Sequence, residues 1–329
     1  MTETPEYFAD RPDGGNRAHL ATGTERPSDM LSVLLRAVRL RGEQIFCCAP
    51  ASPFAISFDH PGGTLHIISQ GQFELQLDGE PGTNCYKRGD VVLLPAGRVH
   101  TVRHGRLVSP RALASSDVQL DTARHGEGTH WLSGTFSFHD SPAAQLLHGL
   151  PPLIELRGTG DQALVWLEVS AQMLVKETTA PSQGSLEMVS RILDLLFIQV
   201  LRAWATGPDA TPGWLTGAMD PEVGTAITAI HSNPGQPWTI ERLAHKSNLS
   251  RSAFAERFAR RVGQPPGAYI AQVRLSNAAA LLLETPEPVA AVATKIGYDS
   301  EAAFSRAFSK RYGMPPSKWR RETRTISAN

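Results

Sequence analysis

The spacing of hydrophobic positions divides the chain into a region with strand periodicity and regions with helical periodicity. Between about residues 42 and 138, short apolar runs are separated by turn-forming Gly, Pro and Asp, a pattern typical of β-strands. In the segment QFELQLDG, Phe73, Leu75 and Leu77 alternate with polar residues and therefore share one face of a predicted strand. This region is predicted to form a sheet with one face on a core.

From about residue 161 to residue 205, apolar residues recur every three or four positions, which predicts amphipathic helices. Two interpretations of the broadest stripe remain open: it covers the sheet as core, or it pairs with the same helix of a second copy. We expect most of it to be core and part of this helical region to lie at a dimer contact. This apolar stripe consists of Val189, Ile192, Leu193, Leu196, Phe197, Val200, Leu201 and Trp204.

Changes in composition mark the boundaries between these regions. The N-terminal residues are rich in Pro, Gly, Asp and Thr without periodicity, which predicts disorder, and Ser28-Asp29 then offers a cap for a short helix. A second stretch rich in Pro, Gly and Thr, residues 206–218, is predicted to be a linker. The predicted organisation is a disordered tail (1–27), a first domain (28–205), a linker (206–218), a helical domain (219–322) and a tail (323–329).

The helical domain contains one pattern twice, 50 residues apart. Phe304, Phe308, Arg311, Gly313, Pro315 and Pro316 repeat Phe254, Phe258, Arg261, Gly263, Pro265 and Pro266. Each copy is preceded by a small alanine, a turn residue and a serine cap, namely Ala244, Asn248 and Ser250 in the first copy and Ala293, Gly297 and Ser300 in the second. Helix, tight turn and helix with these residues predict two helix-turn-helix units.

The segment between the two copies, AYIAQVRLSNAAALLLE, has helical periodicity. A helix of about 16 residues is ~24 Å long. Such a rigid spacer is of the right order to hold two reading units near the ~34 Å repeat of successive major grooves. The repeat therefore predicts a subunit that contacts two adjacent groove segments on one face of DNA.

Residues 220–322, and above all IGYDSEAAFSRAFSKRYGMPPSKWR, resemble the DNA-binding domain of AraC/XylS-type bacterial transcription regulators. The resemblance implies recognition helices at 250–261 and 300–311. With the phenylalanines buried, the residues facing a groove are Ser252, Ala255, Glu256, Glu301, Ala302, Ala303 and Arg306. Arg306 matches a base-reading position of the family, and Arg paired to guanine is the commonest specific contact. Whether Ala255 and Glu256 read bases or only position the first helix stays open.

Charge supports contact with a polyanion. Residues 220–329 carry 15 Lys and Arg against 9 Asp and Glu, a net +6, whereas residues 1–219 carry 17 against 23, a net −6. Basic residues on or near the recognition helices are expected to contact phosphates, which adds affinity and salt dependence but no sequence information. They are Arg251, Arg257, Arg260, Arg261, Lys310, Arg311, Lys318 and Arg320.

The first domain contains GDVVLLPAGRVH, residues 89–100, which fits the second cupin motif, and residues 30–205 resemble the cupin-type sensor domain of one branch of these regulators. The resemblance implies a small β-barrel followed by helices. Metal-binding cupins need further ligands, but Ile68 stands where a second His is expected and Gln72 near the expected Glu. We therefore predict no metal or other cofactor. His66 and His100 either contact an effector in the barrel or are simply packed.

Three cysteines, Cys47, Cys48 and Cys85, are too few and too oddly numbered for a disulfide framework. The chain shows no signal-peptide pattern and no apolar run of the ~18 residues that a membrane helix needs. These features predict a cytoplasmic protein without membrane contact. Cys47 and Cys48 are adjacent on a predicted strand and should face opposite sides. Redox sensing by any of the three would require an exposed thiol with a lowered pKa.

Together these features predict a multidomain α+β protein: a cupin-like β-barrel with trailing helices, then an all-α domain with two helix-turn-helix units. The predicted function is a sequence-specific, double-stranded DNA-binding transcription regulator, not an enzyme, whose barrel senses a small-molecule or redox effector. The predicted partners are a second copy of the chain and, if the protein is an activator, RNA polymerase. Two alternatives remain: a metal-dependent cupin enzyme fused to a DNA-binding module, and an effector-independent DNA-binding protein with a dimerising barrel.

Overall fold

The computed structural model describes residues 29–114, 117–118, 128–138, 146–147, 149–158 and 165–326. The predicted disordered tail, 1–27, lies outside the described residues. The predicted C-terminal tail, 323–329, is helical in its first part, because the last helix continues to Ile326. In the described part of the chain, no helix combines the length and apolar character needed to cross a membrane.

Two five-stranded sheets pack face to face and form the predicted barrel-like domain. Among the described residues, a short helix, α1 (Met30–Val38), precedes ten strands: β1 (Arg41–Cys48), β2 (Phe54–Phe58), β3 (Gly63–Gln70), β4 (Gln72–Leu77), β5 (Asn84–Lys87), β6 (Val91–Leu94), β7 (His100–His104), β8 (Arg111–Ala112), β9 (His130–Ser137) and β10 (Ile154–Leu156). The strand orders are β1-β9-β3-β6-β10 and β5-β4-β7-β2-β8. Phe73, Leu75 and Leu77 of β4 point into the core between the sheets, as the alternation predicts.

Helices α2 (Val165–Thr179) and α3 (Ser185–Thr206) follow the barrel, and α3 packs on the outer face of the first sheet. All members of the apolar stripe are buried, which confirms the interpretation of the stripe as core. Two glycines allow close contact, because a Cβ at Gly42 or Gly134 would lie 2.4 or 2.6 Å from the Leu193 side chain. Asp194 of α3 also accepts a hydrogen bond from the Gly42 N–H at 2.7 Å.

The predicted linker, 206–218, is only partly irregular. Its last residues form a short helix, α4 (Trp214–Ala218), and the Trp214 and Leu215 side chains are buried in the same core as the helices of the first domain. The Trp214 indole Nε1–H donates to the Leu146 carbonyl at 2.9 Å. For residues 214–218 the prediction of an irregular linker was wrong. The Pro- and Gly-rich composition just before them gave no sign that Trp214 and Leu215, two large apolar residues, are buried.

Eight helices follow the irregular segment: α4, then α5 (Val223–Ser232), α6 (Ile240–Lys246), α7 (Arg251–Val262), α8 (Pro266–Glu284), α9 (Val289–Lys295), α10 (Glu301–Tyr312) and α11 (Pro316–Ile326). The first helix-turn-helix unit, α5–α7, shares its core with the barrel domain, and α1 packs on both α4 and α5. The second unit, α9–α11, has a separate core. Helix α8 joins the two units and, with its 19 residues, is about 28 Å long.

Candidate nucleic-acid interface

Local hydrogen bonds set the start of each recognition helix, α7 and α10. The Ser250 hydroxyl accepts from the Ala253 N–H at 3.3 Å, and the Ser300 hydroxyl accepts from the Ala303 N–H at 3.2 Å. The preceding turns contain Asn248, with φ of 53°, and Gly297, with φ of 84°. These are the predicted caps and turn residues, and both turns use the left-handed backbone that Asn and Gly tolerate best.

A pair of phenylalanines fixes which face of each recognition helix is turned outward. Phe254 and Phe258 are fully buried with ring centroids 5.5 Å apart, and Phe304 and Phe308 are fully buried at 5.4 Å. One turn separates the members of each pair, so the opposite face of each helix must point to solvent. The outward faces are therefore those predicted to meet DNA.

On α7 the outward face carries little base-reading chemistry. Ser252 and Glu256 are exposed and Ala255 is half-buried. The Glu256 carboxylate lies 3.6 Å from the Arg260 guanidinium one turn along the helix, and Arg251 pairs with Glu241 at 2.9 Å. Both ion pairs are on the surface, where water screens them and DNA phosphates can compete for the arginines.

On α10 the outward face presents an unpaired guanidinium. Glu301, Ala302 and Arg306 are exposed, and Ala303 is half-buried. Within the described residues, Arg306 and Lys310 take part in no ion pair. The structure thus leaves Arg306 free to approach a base edge, whereas the first helix offers only short or acidic side chains at the corresponding positions.

A buried carboxylate that the sequence analysis did not single out holds α7 in place. The Asp220 side chain is fully buried, and its two oxygens accept hydrogen bonds at 2.9 Å from the Nε–H groups of Arg257 and Arg261. Asp220 also accepts from the Glu222 and Val223 N–H groups at the start of α5. Burial acts to raise the pKa of Asp220, but the hydrogen bonds from Arg257 and Val223 outweigh it, so the pKa is lowered overall.

Three of the residues predicted to contact phosphates have bonding partners within the protein. Arg257 and Arg261 point toward Asp220, and Arg320 donates to the Leu282 carbonyl at 3.0 Å. Their guanidinium groups therefore have partners inside the protein. The five others are exposed: Arg251, Arg260, Lys310, Arg311 and Lys318, of which Lys318 lies 3.6 Å from Glu322.

In the barrel, His66 and His100 form one hydrogen-bonded chain. Their Nε2 atoms are 2.8 Å apart, and His66 Nδ1 is 2.8 Å from the Ser133 hydroxyl. The Arg98 carbonyl can only accept, so His100 Nδ1 carries the proton that it donates there at 2.8 Å. It follows that His66 donates to His100 through Nε2, and that Ser133 donates to His66 Nδ1. The Trp131 indole Nε1–H donates to the Ser133 hydroxyl at 2.8 Å and completes the chain.

Burial keeps both imidazoles neutral. It lowers the pKa of His66 well below its ordinary value, with the nearby His100 adding to the shift, and it lowers the pKa of His100 to about 4. The rings of Phe58 and Phe73 pack against the histidines. The predicted effector contacts are thus brought together, but their polar atoms already bond to one another and to neighbouring groups of the barrel.

No cluster of three or more potential metal ligands occurs among the described residues. Ile68, at the position where a second metal-binding His was expected, is buried in the core between the sheets, and Gln72 is exposed. The absence of a cofactor stays a prediction from ligand types.

The two adjacent cysteines face opposite sides of β1, as predicted. Cys47 belongs to the core beneath the helices and Cys48 to the core between the sheets, 3.8 Å from the Ser133 hydroxyl. Burial raises the pKa of the Cys47 thiol, and it raises the pKa of Cys48 to about 12. Both shifts disfavour the reactive thiolate. Cys85 is exposed.

Comparison with known proteins assigns a family to each half of the chain. A family model described as Cupin matches residues 29–206, and one described as Helix-turn-helix domain matches residues 243–322. The transcriptional regulator AlkR of Acinetobacter baylyi is 32% identical over 251 residues, which cover 72% of this chain and 80% of AlkR. A putative AraC-like transcription regulator of Streptomyces antibioticus is 30% identical, with 83% of this chain and 92% of that protein covered.

Among solved structures, the DNA-binding domain of AdpA in complex with a target DNA is similar to part of the chain. It is 25% identical, with a TM-score of 0.31, and the match covers 32% of this chain and 96% of the AdpA domain.

Proposed function

Given that the chain belongs to the AraC-like transcription regulators, and is therefore a DNA-binding regulator with a cupin-like N-terminal domain, we propose that its two helix-turn-helix units read two adjacent major-groove segments. The observation that carries this proposal is the pair of capped recognition helices, α7 and α10, in two units that the 19-residue helix α8 joins. The net charge of +6 on residues 220–329 supports binding of both units to the phosphate backbone.

The two units have unequal roles in this proposal. Arg306 on α10 reads a base, because it is exposed and unpaired in the described part of the chain, whereas α7 mainly positions the protein on the duplex. The surface residues Arg260, Lys310, Arg311 and Lys318 contact phosphates, and Arg251 joins them by exchanging Glu241 for a phosphate. Arg257, Arg261 and Arg320 support the helices from within.

Selection of bound DNA from a random pool, with the full chain at near-physiological salt, tests this proposal. Two preferred blocks about one helical turn apart would support two reading units, and one block would assign base reading to α10 alone. Absence of any enrichment would contradict sequence-specific binding by either unit.

Arg306→Ala then separates base reading from phosphate contact. We expect it to weaken binding to the selected site by about 1–3 kcal/mol and to relax the preference at one base pair. Lys310→Ala is the matched control on the same helix, and it should weaken binding to selected and random DNA alike and reduce the salt dependence. An equal loss on both DNAs in Arg306→Ala would contradict base reading.

We further propose that the cupin-like domain controls the DNA-binding domain through its packed contact with the first unit. Helix α1 packs on α4 and α5, and one continuous core runs from the barrel to Phe258 of α7. An effector that alters the barrel domain would therefore act on the first recognition helix. A thermal-shift screen of small molecules, repeated with oxidants, would identify ligands of the native state, and DNA affinity with and without each hit would show the coupling.

A second candidate function is favoured by the closed hydrogen-bond chain in the barrel. Because His66 and His100 satisfy each other, the barrel is also suited to a purely architectural role, in which it docks the first unit and dimerises without a ligand. Hits that raise the melting temperature and change DNA affinity would exclude this alternative.

We propose no catalytic role for the barrel, because Ile68 and Gln72 replace ligands that a metal-dependent cupin enzyme needs. Metal analysis of the purified protein tests this point. Stoichiometric iron or zinc that is lost in His66→Ala and His100→Ala would contradict it.

For the dimer, we propose the outward face of α2 and α3 as the contact between two copies. These helices expose Val169, Met173, Met188 and Leu195, four large apolar side chains on two helices that pack together. Leu195→Glu should shift the protein toward monomer in sedimentation analysis. Leu186→Glu is the matched control: Leu186 is 90% exposed, but nine residues at 100° each place it on the opposite side of α3. An unchanged mass in Leu195→Glu would contradict this surface.

A further inference from the structure

Helix α8 belongs to two cores, and Arg274 lies at the boundary between them. Val273, immediately before it, is buried in the core that the first helix-turn-helix unit shares with the barrel. Leu275, immediately after it, is buried in the separate core of the second unit. The side chain of Arg274 therefore stands where the two units meet.

The Arg274 guanidinium binds both units at once. Its Nε–H donates to the Pro234 carbonyl at 2.9 Å, and an Nη2–H donates to the Gln236 carbonyl at 2.8 Å. Both acceptors belong to the loop between α5 and α6 of the first unit. An Nη1–H donates to the Gly297 carbonyl at 2.9 Å, and Gly297 is the turn residue of the second unit.

Two glycines bring these same segments into direct backbone contact. A Cβ at Gly235 would lie 2.2 Å from the Lys295 carbonyl oxygen, and a Cβ at Gly297 would lie 2.6 Å from the Gly235 carbonyl oxygen. Neither position has room for a side chain. At Gly235 and Gly297 the two backbones thus meet without side chains between them, and the Arg274 guanidinium donates to carbonyls on both sides.

We propose that Arg274 is a positioning residue that fixes the orientation of the second helix-turn-helix unit relative to the first. This inference rests on the proposed function, because the orientation matters to DNA only if both units contact it. A rigid junction restricts the distance and rotation at which two groove segments can be bound together. The planar, five-donor fork of Arg suits three carbonyls in fixed directions, which the compact ammonium of Lys cannot reproduce.

The first test requires no DNA. Amide hydrogen exchange is compared in the full chain between wild type, Arg274→Ala and Arg242→Ala. The control residue, Arg242, donates to the Pro237 carbonyl within the same loop but does not reach the second unit. We expect Arg274→Ala to raise exchange about tenfold or more both in residues 233–237 and in residues 295–298, and Arg242→Ala to raise it in the first segment only.

Unchanged exchange in residues 295–298 of Arg274→Ala would overturn the proposal. If that variant fails to fold, as judged by circular dichroism, Arg274→Lys replaces it, and the same outcomes apply. Gly235→Ala pushes the two backbones apart while the Arg274 side chain itself is kept, and it should raise exchange in the same two segments.

The second test uses the two-block DNA selected by wild type and copies with one base pair added or removed between the blocks. One base pair changes the rotation by about one tenth of a turn and the distance by about 3.4 Å. Wild type should prefer the selected spacing about tenfold or more, and Arg274→Ala should bind all three spacings within about threefold of one another while keeping its affinity for a single block.

The outcomes separate this proposal from the proposed function. If wild type selects two blocks and Arg274→Ala keeps the full spacing preference, the positioning role is overturned. A wild type that selects no second block would contradict two-unit reading, and the exchange experiment alone would then decide whether Arg274 joins the units.

Discussion

At the scale of single residues, stability depends on polar groups that are buried with partners. Asp220 binds two arginines of α7 and the first N–H groups of α5, so one carboxylate joins two helices of the first unit. His66 and His100 illustrate the other case, in which burial holds titratable groups neutral. Both kinds of site make folding sensitive to pH, in windows set by their shifted pKa values.

Asp220→Asn keeps the shape and part of the cap but removes the charge that pairs with Arg257 and Arg261. We expect it to lower the free energy of unfolding by about 1–3 kcal/mol, below the full effect of a broken buried pair because both arginines are partly exposed. Urea unfolding at pH 7 measures the change. Because the folded pKa is lowered, this stabilisation is present above the ordinary Asp value of 3.8 and is lost as the pH falls below it. An Asn variant as stable as wild type would contradict this role for Asp220.

His100 makes the free energy of unfolding depend on pH in a second range. Its folded pKa of about 4 is below the ordinary 6.5, so between these values the unfolded chain binds a proton that the folded chain does not. The contribution of neutral His100 to the free energy of unfolding is therefore complete above pH 6.5, and it is lost as the pH falls toward 4. We expect His100→Asn to reduce the slope of unfolding free energy against pH in this window by up to about 1.4 kcal/mol per pH unit.

The matched variant is His231→Asn. Burial also lowers the pKa of His231 to about 4, and His231 lies on α5 rather than in the barrel. It should reduce the slope by a similar amount. Slopes equal to that of wild type in both variants would show that these histidines are not held neutral in the folded protein.

At the scale of elements, the two helix-turn-helix units use the same local design in different surroundings. Each has a serine cap, a left-handed turn residue and a buried phenylalanine pair. The second unit completes its core with Tyr312 and Trp319, whose rings pack on Phe308. The first unit instead completes its core with residues of the barrel domain.

Phe308→Ala should therefore act on the second unit alone. We expect a loss of about 3–5 kcal/mol for a fully buried ring, confined to α9–α11. Hydrogen exchange should show loss of protection in residues 289–326 and little change in α7. Phe258→Ala is the matched variant in the first unit, and there the loss should extend into the barrel domain. Loss of protection throughout the chain in both variants would contradict two separate cores.

Much of each unit was predictable from the sequence, because caps, turn residues and phenylalanine pairs act over three to eight residues along one helix. Ser250, Asn248 and Phe254 are examples. The partners of Asp220 are 37 and 41 residues away, and those of Arg274 are up to 40 residues away. Such contacts depend on how helices pack, and neither periodicity nor charge counts specify them. The burial of Trp214 was missed for the same reason.

At the scale of the whole molecule, the barrel domain and the first unit form one packed body, whereas the second unit is joined to it by α8 and the Arg274 junction. Removal of the barrel should thus affect the units unequally. A fragment that starts at residue 216 lacks Trp214, Leu215 and α1, all of which pack against the first unit.

In that fragment we expect loss of exchange protection in residues 223–262 and retention of protection in residues 289–312, because only the first unit loses core contacts. Comparison of the fragment with the full chain by hydrogen exchange measures this difference. Equal protection of α5–α7 in both proteins would show that the first unit folds without the barrel.

The separate core of the second unit also bears on how the chain folds. Its members lie between Leu275 and Trp319, so its contacts are short in sequence, whereas the core of the first unit reaches back to Met30 at the start of α1. Contacts of low sequence separation form fast, and contacts that close long loops form slowly. The second unit can therefore fold as soon as its own residues are available, and the first waits for the barrel. A nascent or damaged chain with an unfolded barrel would then still display one complete recognition helix, the one that carries Arg306.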